Sequence, residues 1–229
     1  MNNGKIMKQP LVILGSLFLI ITLLLMGLLL YQFKGLTGSG KTNDLANVSD
    51  SVTSEDNLEK EYQLASTATD YQKEIFDELV TAHRSYKETR TQDSKENYAA
   101  LVVKNFIADF YTLSNKAGRN DIGGMQFIAA DLMPTFRQQA IDNFYENLDF
   151  YVKANDTNSL ITVKDVTILT VNLNDSMEVD DEEVNCVSVQ ASWTYEISSL
   201  SDINQVQNEA TFILTESGDD LVLNAILSE

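Results

Sequence analysis

The sequence predicts an α+β protein: a single N-terminal transmembrane helix, a helical segment, then helices packed on a curved antiparallel sheet of about four strands. Three observations carry that prediction. An uncharged apolar run extends from Pro10 to Phe33. Apolar residues then recur with helical spacing from Leu58 to about Ala154. After Leu160 the period drops to two, the spacing of strands with one buried face.

The apolar run comes first. At about 1.5 Å per residue it covers a hydrocarbon core of ~30 Å. Gly15 and Gly27 are tolerable in such a helix, and Tyr31 and Phe33 suit the interface. The run is longer than the apolar region of a signal peptide. Its bulky close, Leu28-Leu29-Leu30-Tyr31, offers no small-residue cleavage site. Residues 10–33 are therefore read as an uncleaved single-pass span in the plasma membrane. Lys5 and Lys8 precede it, while Lys34 and Lys41 follow. The short tail 1–9 is read as cytoplasmic and the chain beyond 34 as extracytoplasmic.

Charge narrows the function classes. The 229 residues include 34 acidic and 16 basic side chains, for a net charge of −18. All 34 acids lie beyond residue 34 with 13 of the bases, giving that exported part −21. A nucleic-acid-gripping protein needs a basic face, so that class is excluded. One cysteine excludes an internal disulfide, and one cysteine with one histidine argues against a zinc site of the usual kind. No cofactor is expected.

Gly35-Leu36-Thr37-Gly38-Ser39-Gly40-Lys41-Thr42 matches the phosphate-binding pattern G-x-x-x-x-G-K-[ST]. A working loop of that kind needs a core strand before it and a helix after it. Here a lipid-length helix precedes it and polar residues follow. The octapeptide reads as tether, with no nucleotide bound, inside a flexible linker over 34–56.

A juxtamembrane helix is expected over 57–92, starting near Asp56. Its seam runs Leu58, Tyr62, Ala65, Thr69, Gln72, Phe76, Leu79, His83 and Tyr86 in steps of four and three. Thr69, Gln72 and His83 are poor seam residues. Packing on its own domain is one reading, and a self-associating stalk is the other. His83, the one histidine, reads as a packing or surface residue.

An extracytoplasmic α+β domain is expected over 93–229. Its first helix begins near Ser94 and carries Tyr98, Leu101, Val102, Phe106, Phe110 and Leu113 on one side. Val103, Ile107 and Tyr111 widen that stripe, which implies burial on more than one side. Gly118 and Gly123-Gly124 mark a break. Another helix is expected from about Leu132 to Ala154, with Pro134 in its first turn. Strands follow at Leu160–Leu173, Val187–Ile197, from Ala210, and at Leu221–Leu227. Gly218-Asp219-Asp220 turns the last hairpin. The acidic stretch Asp175–Glu183 lacks the spacing and glycine of a calcium loop and reads as a solvated hairpin tip between the first two strands. Cys186 has the parity of the polar face and is expected to be partly exposed.

Helices followed by four antiparallel strands around an aromatic-rich helix resemble the nuclear-transport-factor-2-like cone. With the single span, the chain resembles the bitopic VirB-type assembly proteins of type IV secretion and conjugation, including those of Gram-positive conjugative elements. The segments carrying the resemblance are Val103–Thr112, Asp121–Phe127 and Val189–Tyr195. It implies a membrane-anchored scaffold acting by protein–protein contact, without catalytic residues. Its partners would be other membrane and secretion-channel proteins or further copies of itself.

Two other classes compete. The same cone hosts isomerases and dehydratases, for which Asp109, Tyr111 and Tyr195 are the tempting acid–base residues. A ligand-binding or sensor module would instead line an apolar cone mouth with Phe106, Phe110, Trp193 and Phe212. A cavity with a desolvated carboxylate favours the enzyme, a wide apolar cavity the binder, and a filled interior the scaffold.

Overall fold

A computed structural model describes residues 62–154, 156–179, 182–196 and 206–227. The expected tail, membrane span, linker and Walker-like octapeptide lie outside the described residues. Among the described residues, no helix is long and apolar enough to cross a membrane. These residues form an α+β fold of four α-helices and one four-stranded antiparallel sheet.

Helix α1 spans Asp70–Thr89. A reciprocal cap sets its start, fourteen residues later than Asp56. The Gln72 N–H donates to the Thr69 hydroxyl at 3.2 Å, and the Thr69 N–H donates to Gln72 Oε1 at 2.8 Å. These two bonds satisfy amides that a first helical turn leaves unpaired. The expected helical stretch is thus corrected at its start, because residues 62–69 are not helical. Two of the three poor seam residues, Thr69 and Gln72, are the capping pair. Gln72 Nε2 also donates to the Ala108 carbonyl at 2.8 Å, tying α1 to its neighbour.

Helix α2 spans Gln92–Phe110, N-capped by Thr91. Ten of its residues are buried, including Tyr98, Val103, Phe106 and Ile107. It touches α1 on one flank and β1, β2 and β4 on another, which accounts for the wide apolar stripe. The next expected helix is corrected to two, α3 at Met133–Asp142 and α4 at Leu148–Lys153. Tyr145 interrupts them. It is fully buried, and its hydroxyl donates to the Phe110 carbonyl at 2.7 Å. The helical ladder ends here: the Asn143 N–H still bonds the Gln139 carbonyl, but the Tyr145 N–H reaches back five residues to the Ala140 carbonyl at 2.9 Å.

The strands are β1 (Val163–Val179), β2 (Glu182–Tyr195), β3 (Glu209–Ser217) and β4 (Asp220–Leu227), in sheet order β1-β2-β3-β4. Three register shifts between β1 and β2 each place the extra residue on β1, while β2 stays regular. Bulges of this kind bend a strand and increase its twist. The free side of β4 is partly covered: Ile128 bridges Leu223, and the Ala129 N–H donates to the Leu223 carbonyl at 2.9 Å.

The acidic stretch is the far end of the β1–β2 hairpin, as read, and most of it is paired strand. Both strands run into it, pairing from Asp175↔Cys186 to Val179↔Glu182. β3 pairs with β2 only from Ser192↔Glu209 to Val187↔Leu214. Beyond Val187, β1 and β2 continue as a two-stranded arm. Cys186, expected to be partly exposed, is 4% exposed. It sits at the arm's root beside Val187, where two consecutive residues of β2 are both buried.

One core joins helices and sheet. Leu79, Ala82 and Tyr86 of α1 belong to it with Val102 and Phe106 of α2, Trp193 of β2 and Phe212 of β3.

Candidate functional site

Phe106 and Phe110 lie one helical turn apart on α2, so their rings stack with centroids 5.3 Å apart. Phe212 meets Phe106 edge-on at 5.9 Å and Trp193 at 6.2 Å. Tyr111 closes the chain of rings, 4.9 Å from Phe110 and 4.7 Å from Trp193. Phe106, Phe110, Trp193 and Phe212 are all at most 7% exposed. The structure brings the four together as a packed layer between α2 and the sheet. Offset and edge-on ring pairs of this sort add stability beyond the area they bury.

Two cavities lie elsewhere. One, of about 20 Å³, sits between Gln72, Phe76, Asn105 and Asp109 and has room for a single water. The other is an open cleft of about 450 Å³ between the end of β3 and the arm, with Lys95 and Glu216 at its margin.

The three acid–base candidates each hold a structural partner. Asp109 Oδ1 accepts from Lys116 Nζ at 2.5 Å, and Oδ2 accepts from the Gly124 N–H at 2.7 Å. The Lys116 side chain is only 4% exposed, so Asp109 neutralises a buried ammonium. Trp193 Nε1 donates to the Tyr195 hydroxyl at 2.7 Å, and that hydroxyl donates to the Gln207 carbonyl at 2.6 Å. The Tyr111 hydroxyl donates to Gln207 Oε1 at 2.9 Å. Burial pushes the phenols of Tyr111 and Tyr195 well above their ordinary range, keeping both neutral.

Glycines make the Asp109 knot possible. A Cβ on Gly123 would stand 2.1 Å from the Asp109 carbonyl oxygen. Gly124 has φ +73°, and its Cβ would reach within 2.7 Å of the Phe106 ring. Side chains are thus excluded where the Asp121–Phe127 segment crosses α2.

A second polar cluster escaped the sequence reading. The Tyr62 and Tyr98 hydroxyls share a hydrogen bond, and Tyr98 also accepts from the Leu221 N–H at 3.4 Å. His83 stacks on Tyr98 with centroids 5.0 Å apart and meets Tyr62 edge-on at 5.3 Å. Its Nε2 stands 3.0 Å from Asp220 Oδ1, close enough for an ion pair but without hydrogen-bond alignment. Burial raises the phenols of Tyr62 and Tyr98 strongly. Around it, Arg90 pairs with Asp219, Lys95 pairs with Glu216 at 2.6 Å, and the Tyr86 hydroxyl donates to Glu216 at 3.2 Å. The bond from Lys95 holds the Glu216 carboxyl below the usual carboxylate range. This cluster docks α1 onto the β3–β4 hairpin. The one available signal was Tyr62 and His83 on the seam with paired aspartates at the turn, and nothing in the spacing joined them.

Among the described residues no group of histidine, cysteine, aspartate and glutamate side chains is arranged to hold a metal ion. The Cys186 thiol is pushed up by burial, and then by the charge of Asp175, which works against thiolate chemistry. Comparison of the chain with protein-family models, with curated proteins and with solved structures finds no match to any of them.

Proposed function

We propose that the chain is a membrane-anchored structural component of a conjugative, type IV secretion-like channel, acting by protein–protein contact through an exported domain. The observation that carries this reading is the filled interior. Phe106, Phe110, Trp193 and Phe212 spend their surfaces on one another, and Asp109, Tyr111 and Tyr195 spend their polar atoms on structural partners. What such a domain offers to other molecules is its outer surface. An open antiparallel sheet packed on an aromatic helix is compatible with the nuclear-transport-factor-2-like cone. The charge-free run 10–33 supports the anchor, and the acidic balance supports export in soluble form.

The test is genetic. Deleting the gene in a cell that carries out conjugative transfer is expected to abolish transfer, and the full chain is expected to restore it. Lys41→Ala, in the Walker-like octapeptide, is expected to restore it equally. Transfer that survives the deletion would end the channel reading. Loss of transfer from Lys41→Ala alone would return nucleotide binding to consideration.

A further inference from the structure

We propose that the free edge of β2 in the arm, together with the cleft beside it, docks an extended basic segment of a partner protein as an added strand. The proposal rests on the scaffold reading above and names the chemistry of one partner.

Main-chain direction along β2 can be read from two bonds. The Trp193 N–H donates to the Asn208 carbonyl at 2.8 Å, on the β3 side. The Glu196 N–H donates to the Thr162 carbonyl at 2.9 Å, on the β1 side. β2 carries no bulge in either ladder, so the alternation holds along it. Odd-numbered residues therefore aim their N–H and C=O groups toward β3, and even-numbered residues aim theirs toward β1.

The ladder to β3 stops at Val187↔Leu214. β3 nevertheless runs on to Ser217, and β2 extends back to Glu182. The next rung would join Asn185 to Glu216, and it is not made among the described residues. Asn185 and Glu183 thus present main-chain donors and acceptors to a side on which no described strand pairs with them. The 450 Å³ cleft lies there, between Asn185–Val187 on β2 and Leu214–Glu216 on β3. An unpaired edge of this kind is a template for another strand.

Charge selects the occupant. Residues 175–183 hold six carboxylates and no cation. Glu178 and Glu183 are exposed on the arm, and Glu216 stands at the cleft. The neighbouring cation, Lys95, is engaged by Glu216. Exposed edges are commonly blunted by lysine or proline. Residues 182–187 contain neither, and their acids repel the same edge of a second copy. A basic extended segment gains both the open rungs and the opposite charge, with Leu173 and Val184 available to its apolar side chains.

The experiment uses the purified full chain and two short labelled peptides, one alternating lysine and valine, the other glutamate and valine. The lysine peptide is expected to bind and to slow amide exchange at Glu183 and Asn185 by at least about ten-fold, as a new ladder requires. The glutamate peptide is expected to bind at least about ten-fold more weakly. Asn185→Pro deletes an edge donor and leaves the β1 ladder intact, since β1 is served by the even residues. It is expected to weaken the lysine peptide by about ten-fold with an unchanged melting temperature. Equal binding of both peptides, binding without protection of those two amides, or dimerisation through this edge would each overturn the proposal. These readouts need no transfer assay, so failure here removes this docking mode, whereas the channel reading falls only by the gene deletion.

Discussion

Two stretches of one strand, β2, behave as different materials. From Val187 to Trp193 it has β1 on one side, β3 on the other and α2 above it, and Val189 and Ala191 are fully buried. From Glu182 to Cys186 it pairs, among the described residues, with β1 alone, and Glu183 and Asn185 are exposed. The sequence alternates through both stretches. What differs is the number of covering neighbours, and the switch falls at Cys186-Val187, where both residues are buried. Alternation therefore reports strand geometry, while burial reports what the strand is packed against.

The largest expected effect separates the tyrosine-lined core from the arm. Of the nine tyrosines, six have phenols raised mainly by burial, with Tyr71 pushed up to about 12. A folded-state value above the ordinary one near 10 means that folding favours the neutral phenol. That contribution is complete below pH ~10 and is lost as pH rises through the folded values. Alkaline titration is expected to unfold the core cooperatively between pH ~10 and ~12, with phenolate absorbance and loss of ellipticity coinciding. Those six phenols titrating smoothly near 10 with ellipticity retained would contradict the packing. The arm contains no tyrosine and contributes nothing to this transition.

Single substitutions sharpen the same contrast. Trp193→Ala removes a fully packed indole and is expected to cost ~3–5 kcal/mol in denaturant melts. Met177→Ala, on the half-covered face of the arm, is expected to cost under ~1 kcal/mol. Comparable losses at the two sites would mean that the arm is core. Gly123→Ala must push a methyl into the Asp109 carbonyl and is expected to cost ~1–3 kcal/mol. Asp109→Asn leaves the buried Lys116 ammonium without its counter-charge and is expected to cost ~1–3 kcal/mol. A folded Asp109→Asn chain of unchanged stability but lost function would move the case toward an enzyme.

Much of this fold was legible in local pattern. The step from period 3.6 to period two located the change from helices to sheet, and the width of the α2 stripe announced two-sided burial. Four features were not legible, each for a physical reason. The break between α3 and α4 lay inside a stretch read as one helix; there the Tyr145 hydroxyl bonds the distant Phe110 carbonyl and the Gly123 N–H, tertiary demands that local spacing does not carry. Residues 175–183 read as a solvated hairpin tip because of their charge, and how far the strands pair into it was missed. Their alternation was outweighed, although exposed strand faces tolerate acids. The pocket candidates were chosen as aromatics of suitable spacing, and that same spacing describes rings that stack on each other. For the polar knots, spacing was silent because their members come from elements far apart in the chain: Tyr62, His83 and Tyr98 with Asp220, and Asp109 with Lys116 and Gly124.

The smallest expected effect lies at the margin between the two regions, at Glu216. Lys95 bonds its carboxylate at 2.6 Å, Tyr86 adds a second donor, and together they hold the acid below its usual range. A depressed folded-state value means that the charged carboxylate is favoured by folding. Its contribution is present above the ordinary carboxylate value and is lost as pH falls through the lower folded one. Because the Glu216 side chain is half exposed, solvent screens the pair, and the whole effect is expected to stay under ~1 kcal/mol. Glu216→Gln should therefore lower the midpoint of unfolding slightly at neutral pH. Near pH 3 the difference from the parent should shrink, since the parent's carboxylate is then being protonated as well. Added salt should reduce the neutral-pH difference in the same direction. A Glu216→Gln penalty that grows on acidification would show that the carboxylate is not held by Lys95, and the cleft beside the arm would then carry a free cation and lose its selectivity for basic segments.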